Sequence, residues 1–316
     1  MKPKVLLTGA TGFVGRQVMN DLKQRDVELF ALVRNTSDIN ENEAVTVIGH
    51  DSIENYAGEG LPEKLDVIIH LVAKAHVTED ESNRAEYERV NVAGTQAMVN
   101  LAKAKDVKHF IYLSSIKVNG DETFKEPITE ASEVCPKGVY AETKYQAENL
   151  ANELADNGIK VSIVRPPLVY GAGVKANMAA LTKLVRLLPV LPFGMINNQR
   201  SLISVRNLSD FLMTLVFELP VQSYERETFI VSDRNPLSIR ELCLAIAQGL
   251  HKKVIMLPVP QMLLSVLTKV FGMSRQWQKL AGNMVLNGLN SEKYFSWVAP
   301  YQTADEIKLF AVKELK

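Results

Sequence analysis

The segment Thr8-Gly9-Ala10-Thr11-Gly12-Phe13-Val14-Gly15 constrains this chain more than any other. Before it runs an apolar stretch of strand character, and across and after it Val14, Val18 and Leu22 recur at i, i+4 and i+8, the buried stripe of a helix. A strand that turns through glycines straight into a helix is the opening of a βαβ unit. The alternation continues: residues 29–33, 45–48, 67–72, 110–113 and 161–164 are short, nearly uninterrupted runs of Val, Ile and Leu. Such runs suit strands covered on both faces of a parallel sheet. Strands alternating with helices close through right-handed crossovers, so the expected fold is α/β with a doubly wound parallel sheet.

From Gly171 onward the pattern changes. Helical periodicity over 176–188, 205–217, 238–250 and 261–271 is separated by proline-marked turns and short strands such as 228–231. The expected division is a sheet domain over 1–170 and a smaller lobe over 171–316, with some segments returning to the sheet. The lobe should close over the carboxyl edge, where ligands of such sheets bind. The apolar stretch around 256–271, broken by Pro258, Pro260 and Lys269, is too short to span a bilayer and is expected to pack as a lobe helix.

Lysine plus arginine and aspartate plus glutamate both number 36. That balance gives no overall charge to draw the chain to nucleic acid or an anionic membrane. Cys135 and Cys243 are too few for a disulfide framework. The N-terminus runs directly into a strand with no secretory pattern, so a soluble, cytoplasmic protein is expected.

The glycine segment has the makings of a dinucleotide cradle. Gly9 permits the tight turn, Gly12 lets a pyrophosphate reach the backbone, and Gly15 lets the helix lie against the strand. The helix N-terminus offers unpaired N–H groups and a positive dipole end to the anion. At the end of the second strand, Arg34 stands where an NAD enzyme usually carries a carboxylate for the adenosine ribose. A guanidinium there suits a 2′-phosphate, favouring NADP(H), with NAD(H) as the alternative. Asp51, after the third strand, is a candidate acceptor for the adenine amine.

Tyr140 and Lys144 lie one helical turn apart, on one face. A phenol is a poor base at neutral pH, but an adjacent ammonium stabilises the phenolate. Tyr140 could then take a hydroxyl proton as hydride leaves the same carbon, or return one to a carbonyl. Ser115, ending the fifth strand, is the candidate to orient the substrate oxygen, and Asn91 a candidate support for a proton-relay water.

With these motifs the chain resembles the extended short-chain dehydrogenase/reductase family, especially its UDP-glucose 4-epimerase branch. TGATGFVG (8–15), HLVA (70–73), NVAGT (91–95), SSIKVNG (114–120), YAETK (140–144), RPPLVYG (165–171), RSLISVRNLSD (200–210) and SWVAPYQTADEIK (296–308) carry the likeness over nearly the whole length. It implies a Rossmann domain in which Thr11, Phe13, Val14, Leu71, Val72, Ala73 and Pro167 join the glycines, Arg34 and Lys144 around the cofactor. The family's spacing selects Ser115 over Ser114. It implies a nucleotide-sugar substrate, most often UDP-linked, with chemistry at carbon 4 in surface-polysaccharide biosynthesis, and a homodimer through helices of the sheet domain. Arg200 would grip the nucleotide diphosphate. Leu168 replaces an asparagine of that branch, leaving Asn177 as the candidate replacement, with Lys175 and Arg200 as its cationic partners. Arg34 departs toward an exchanging NADPH, hence a 4-ketoreductase. An epimerase of a polyprenyl-diphosphate sugar and a non-catalytic NADP-binding sensor are the further alternatives.

Overall fold

The computed structural model describes residues 2–39, 45–75, 81–123, 126–174, 177–270, 277 and 280–313. The chain opens β1 (Lys4–Thr8), α1 (Phe13–Leu22), β2 (Glu28–Val33), β3 (Val45–Gly49) and β4 (Val67–His70). There follow α2 (Arg84–Tyr87), a π-helical turn (Glu88–Ala93), α3 (Gly94–Ala104), β5 (His109–Leu113), α4 (Val139–Asn152) and β6 (Lys160–Arg165). Next come β7 (Leu168–Tyr170), α5 (Asn177–Leu187), β8 (Val190–Leu191), β9 (Leu202–Ser204), α6 (Val205–Phe217) and β10 (Arg226–Ile230). The chain ends with α7 (Ile239–Gly249), β11 (Ile255–Met256), α8 (Gln261–Val270), α9 (Asn290–Phe295) and α10 (Thr303–Lys313).

Seven strands form one parallel sheet in the order β10-β6-β5-β4-β1-β2-β3. The chain winds outward from β1 to β3, then crosses back to β4 on the other side of β1, so the direction of winding reverses between β1 and β4. In sheets of this kind the reversal opens a crevice at the carboxyl ends of the strands.

The strands are apolar on both faces because both faces are covered. Val5, Leu7, Ala31, Ile69 and Ile111 join one core cluster, with Val18 and Leu22 of α1 and Phe211 of α6. Leu6, Leu32, Ile68, Phe110 and Tyr112 join another, with Met98 and Leu101 of α3 and Ala147 of α4. Neighbouring residues of one strand thus enter opposite cores, the period-two alternation of a pleated strand.

The chain leaves the sheet after Gly171 and comes back. α6 lies on α1, with the Ser209 hydroxyl donating to Asp21 at 2.5 Å. β10 pairs with β6 as the seventh strand. A third cluster, with Tyr170, Val174, Leu181, Phe193, Ile246 and Phe310, gathers α5, α7 and α10. Phe13 of the glycine segment packs against it.

α8 departs from the expectation that this helix packs on its neighbours: only Leu264 is buried. Its one inward apolar contact is flanked by the short polar side chains of Ser265 and Thr268. Its longer apolar side chains face outward. Among the described residues, no helix is long and apolar enough to cross a membrane.

Candidate active site

Each parallel strand delivers its carboxyl end to one edge, and most of the candidate residues lie in the loops that leave it. At β1, Gly9 has φ +73° and its amide-side neighbours are the β4 loop: a Cβ there would meet the Val72 nitrogen at 3.1 Å and the Leu71 carbonyl carbon at 3.2 Å. Gly15 is constrained by space. A Cβ at that position would sit 2.0 Å from the Gly9 carbonyl oxygen, so α1 approaches the turn as closely as a bare backbone allows. The Gly12 amide donates to Gly9 O at 2.9 Å, and Gly12 caps α1 with no side-chain acceptor and no acidic residue in the first turn. Thr11, Phe13 and Val14 are half-buried around this opening. These first-turn N–H groups and the close glycine packing fit a dinucleotide pyrophosphate.

Arg34 is exposed at the end of β2. Its charge lowers the pKa of His50, after burial the next largest cause, so the two groups share the space beyond β2 and β3. Asp51 follows, exposed, in the same bend.

A buried polar chain that sequence reasoning missed joins the cradle to α4. The Thr95 hydroxyl donates to Asn91 O at 2.6 Å, so it accepts from His70 Nε2, 3.2 Å away. His70 Nδ1 is then the acceptor for the Thr8 hydroxyl at 2.7 Å. The Thr8 oxygen in turn accepts from the amides of Leu71 at 3.2 Å and Val72 at 3.4 Å. The assignment requires a neutral imidazole, and burial, reinforced by the Lys144 charge, pushes His70 down to about 3. The sequence did carry a signal: a histidine closing an apolar strand, with threonine closing its neighbour.

Asn91 sits in the π-helical turn, a form often found at functional sites. Its Oδ1 accepts from the Lys74 amide at 2.7 Å and its Nδ2 donates to the Thr143 hydroxyl at 3.0 Å. Thr143 stands between Tyr140 and Lys144, so Asn91 braces the loop carrying Leu71, Val72 and Ala73 against α4. Its side chain is engaged as a strut, a use that the water-relay expectation did not contain.

Lys144 is buried to 1% exposure. Its ammonium donates to Leu113 O at 2.6 Å and lies 4.1 Å from the Tyr112 ring centroid. Burial pushes it down to about 7, opposed by the Glu148 carboxylate one turn on. The helix spacing thus brings Lys144 to the end of β5, beside the two serines. Ser114 is buried and donates to Glu148. Glu148 also takes a two-pronged contact from Arg165, at 2.9 and 2.5 Å. Ser115 is half-buried, and its hydroxyl oxygen accepts from the Lys117 amide at 3.3 Å. The structure therefore separates the adjacent hydroxyls: Ser114 belongs to a buried ion pair and Ser115, half-buried, stays outside it.

Tyr140 is half-buried, with the Tyr87 ring edge-on at 6.4 Å and the Lys117 ammonium 5.6 Å from its centroid. Lys117 is a cation next to Tyr140 that sequence spacing did not bring out. Pro167, buried, follows β6, and the preceding Pro166 carbonyl accepts from the Ile116 amide at 3.0 Å.

Arg200 lies in the lobe, bridged to Leu237 and Met284, with its guanidinium donating to Gly282 O at 2.9 Å. Burial pushes the Arg200 guanidinium below its ordinary value, and the nearby Glu122 and Asp121 carboxylates counter that shift by stabilising its charge. Leu168 is exposed on β7. Asn177 begins α5, its side chain lying outside the described residues, as does Lys175.

A family model described as NAD dependent epimerase/dehydratase family matches residues 5–230. The chain belongs to this family. It is 34% identical over 312 residues to UDP-glucose 4-epimerase of Vibrio cholerae, covering 97% of this chain and 93% of that protein. It is 25% identical to N-acetyl-alpha-D-glucosaminyl-diphospho-ditrans,octacis-undecaprenol 4-epimerase of Escherichia coli O157:H7, covering 82% and 76%. Its fold matches a crystal structure of UDP-glucuronic acid 4-epimerase from Bacillus cereus in complex with NAD, with TM-score 0.76, 17% identity, and coverage of 99% and 98%. The expected NAD(P)-dependent enzyme on a doubly wound Rossmann sheet therefore stands.

The buried histidine makes stability depend on pH. His70 has an ordinary value of 6.5 when unfolded and about 3 in the fold. Below the unfolded value the unfolded chain binds the extra proton, so stability falls as pH drops from 6.5 toward 3. By about pH 5 this costs about 2 kcal/mol from His70 alone. His109, buried and shifted in the same direction, adds to it. Urea midpoints measured across this range should fall with acid, and His70→Asn should flatten the slope. An unchanged slope in that variant would exclude a buried neutral imidazole.

Proposed function

We propose that this protein is an NAD(P)-dependent 4-epimerase of a UDP-linked hexose, acting in the assembly of a surface polysaccharide. The observation that carries the reading is the delivery of Lys144 by α4 to the end of β5, next to Ser115 and one turn from Tyr140, beside a glycine cradle that fits a dinucleotide. The likeness to the Vibrio cholerae enzyme over almost the whole chain supports the sugar class.

In this reading, residues 1–170 hold the cofactor and 171–316 mainly the sugar nucleotide. A bound nicotinamide supplies a hydride acceptor that can also return the hydride. Tyr140 takes the proton of the 4-hydroxyl and later gives it back. Ser115 donates to the same oxygen and fixes its direction. Lys144 holds a positive charge behind the phenol and a hydrogen-bonding hand toward the cofactor ribose. Arg200, with Asn177 and Lys175, contacts the diphosphate. Oxidation and reduction at one carbon balance, so epimerisation consumes no cofactor.

Arg34 favours a second reading, reduction of a 4-keto-6-deoxy sugar by exchanging NADPH. An exposed guanidinium at the end of β2 suits a 2′-phosphate and replaces the carboxylate that would repel it. The purified protein should interconvert UDP-hexoses with no net change in nicotinamide absorbance. Stoichiometric loss of NADPH with a 4-keto sugar, and no epimerisation, would select the reductase. Arg34→Asp should weaken NADP(H) roughly tenfold or more relative to NAD(H). Equal effects on the two cofactors would dismiss the phosphate role.

A further inference from the structure

α8 is an amphipathic helix turned inside out. At 100° per residue, Met262, Val266, Val270, Leu263 and Leu267 share an arc of about 140°. All five are exposed, Met262 at 80% and Val270 at 75%. The opposite side carries Ser265 and Thr268, whose hydroxyls each donate to backbone carbonyls of their own helix at 2.9 Å. With Trp277, Gly282 and Glu122 this side lines a cavity of about 460 Å³. Further apolar side chains are exposed on the elements that precede the helix. Val190 of β8 and Ile255 of β11 are register partners and both are exposed, as are Leu187, Leu188 and Leu257. An exposed apolar arc of this kind marks an interaction site.

The segments that carry these residues are one-sided in charge. The chain as a whole nets zero, yet residues 171–209 hold five Lys/Arg and no Asp/Glu, and residues 242–291 hold another five and again none. Lys183, Arg186, Lys253 and Lys269 are exposed, and the Lys252 ammonium donates to the Arg186 carbonyl, gathering two of the cations. Among the described residues, none of these five is in an ion pair.

We propose that this face docks on a bilayer containing anionic lipids. α8 lies in the plane of the interface with its apolar arc among the acyl chains, and the lysines and Arg186 meet the headgroup phosphates. A second copy is a poorer occupant. Two-fold pairing of one face with itself would set the basic collar against its own image. The side of α8 turned away from the bilayer borders Gly282, whose carbonyl holds Arg200, so the membrane lies beside the lobe rather than beneath the sheet.

The test is sedimentation of the full-length protein with vesicles of phosphatidylcholine alone and of phosphatidylcholine mixed with phosphatidylglycerol. Binding to the mixed vesicles, weakened by salt, is expected. Each lysine removed in Lys183→Gln/Lys253→Gln should lower the partition coefficient roughly fivefold. Met262→Ser/Val266→Ser should lower it at least roughly tenfold, with the thermal melt unchanged because both side chains are already in water. Equal recovery with both vesicle types, recovery with neither, or undiminished binding by the serine variant would overturn the proposal. So would a dimer in sedimentation velocity that the serine variant dissociates in the absence of vesicle binding.

Discussion

Replacing Tyr140 by phenylalanine should cut turnover roughly 10³-fold, within the range of a lost general acid–base group. Cofactor affinity and folding stability should stay near those of the parent. The ring remains, so its edge contact with Tyr87 and the Lys117 ammonium over its face are retained. Only the oxygen that would carry the proton is gone. Steady-state rates with a UDP-hexose, alongside fluorescence titration of the cofactor, separate the two effects. Turnover near the parent rate would remove Tyr140 from the chemistry, and Lys117 would then have to be considered among the neighbouring groups.

The second large effect is expected at Glu148, which touches no candidate ligand. Glu148→Ala should lower stability by about 3–5 kcal/mol, because it strands a buried guanidinium. Arg165 and Glu148 have side-chain exposures of only 7% and 2%, and the carboxylate also accepts from Ser114. Asn119 Oδ1, 3.0 Å from Arg165, is left as its neutral partner. The loss should appear as a fall in melting temperature of roughly 10 °C. Activity should fall as well, since the Glu148 charge opposes the downward push of burial on Lys144. A melting temperature within a degree or two of the parent would mean that water reaches Arg165.

Much of this architecture was legible before any coordinates. The buried parallel strands announced themselves as uninterrupted Val, Ile and Leu runs, and the helices over 205–217 and 238–250 as apolar stripes. In the structure a Ser238–Glu241 capping box opens the latter. What periodicity did not reveal is partnership. β10 reads as a strand after a lobe begins, but only pairing with β6 makes it part of the main sheet. α8 reads as a core helix because five apolar residues lie on one side, and nothing in that pattern says which side faces the protein.

The candidate site divides the same way. Gly9, Gly12, Gly15, Tyr140 and Lys144 could be named because their chemistry demands a local spacing, a turn or one helical repeat. The pairing of His70 with Thr8 and Thr95, and of Asn91 with Thr143, could not, because those contacts join elements many residues apart. Ser114 and Ser115 are neighbours with the same side chain. Spacing from Tyr140 favoured Ser115, but it took the buried Glu148–Arg165 pair to show what Ser114 does.

The sequence by itself determined the alternation of strands and helices that builds the parallel sheet, the glycine turn and the tyrosine–lysine repeat, since each follows from backbone geometry within a few residues. The tertiary structure alone decided which polar groups are buried together, which serine joins the buried ion pair, and that the apolar face of α8 points to solvent. Those outcomes depend on desolvation and on contacts between distant segments, and no local pattern encodes them.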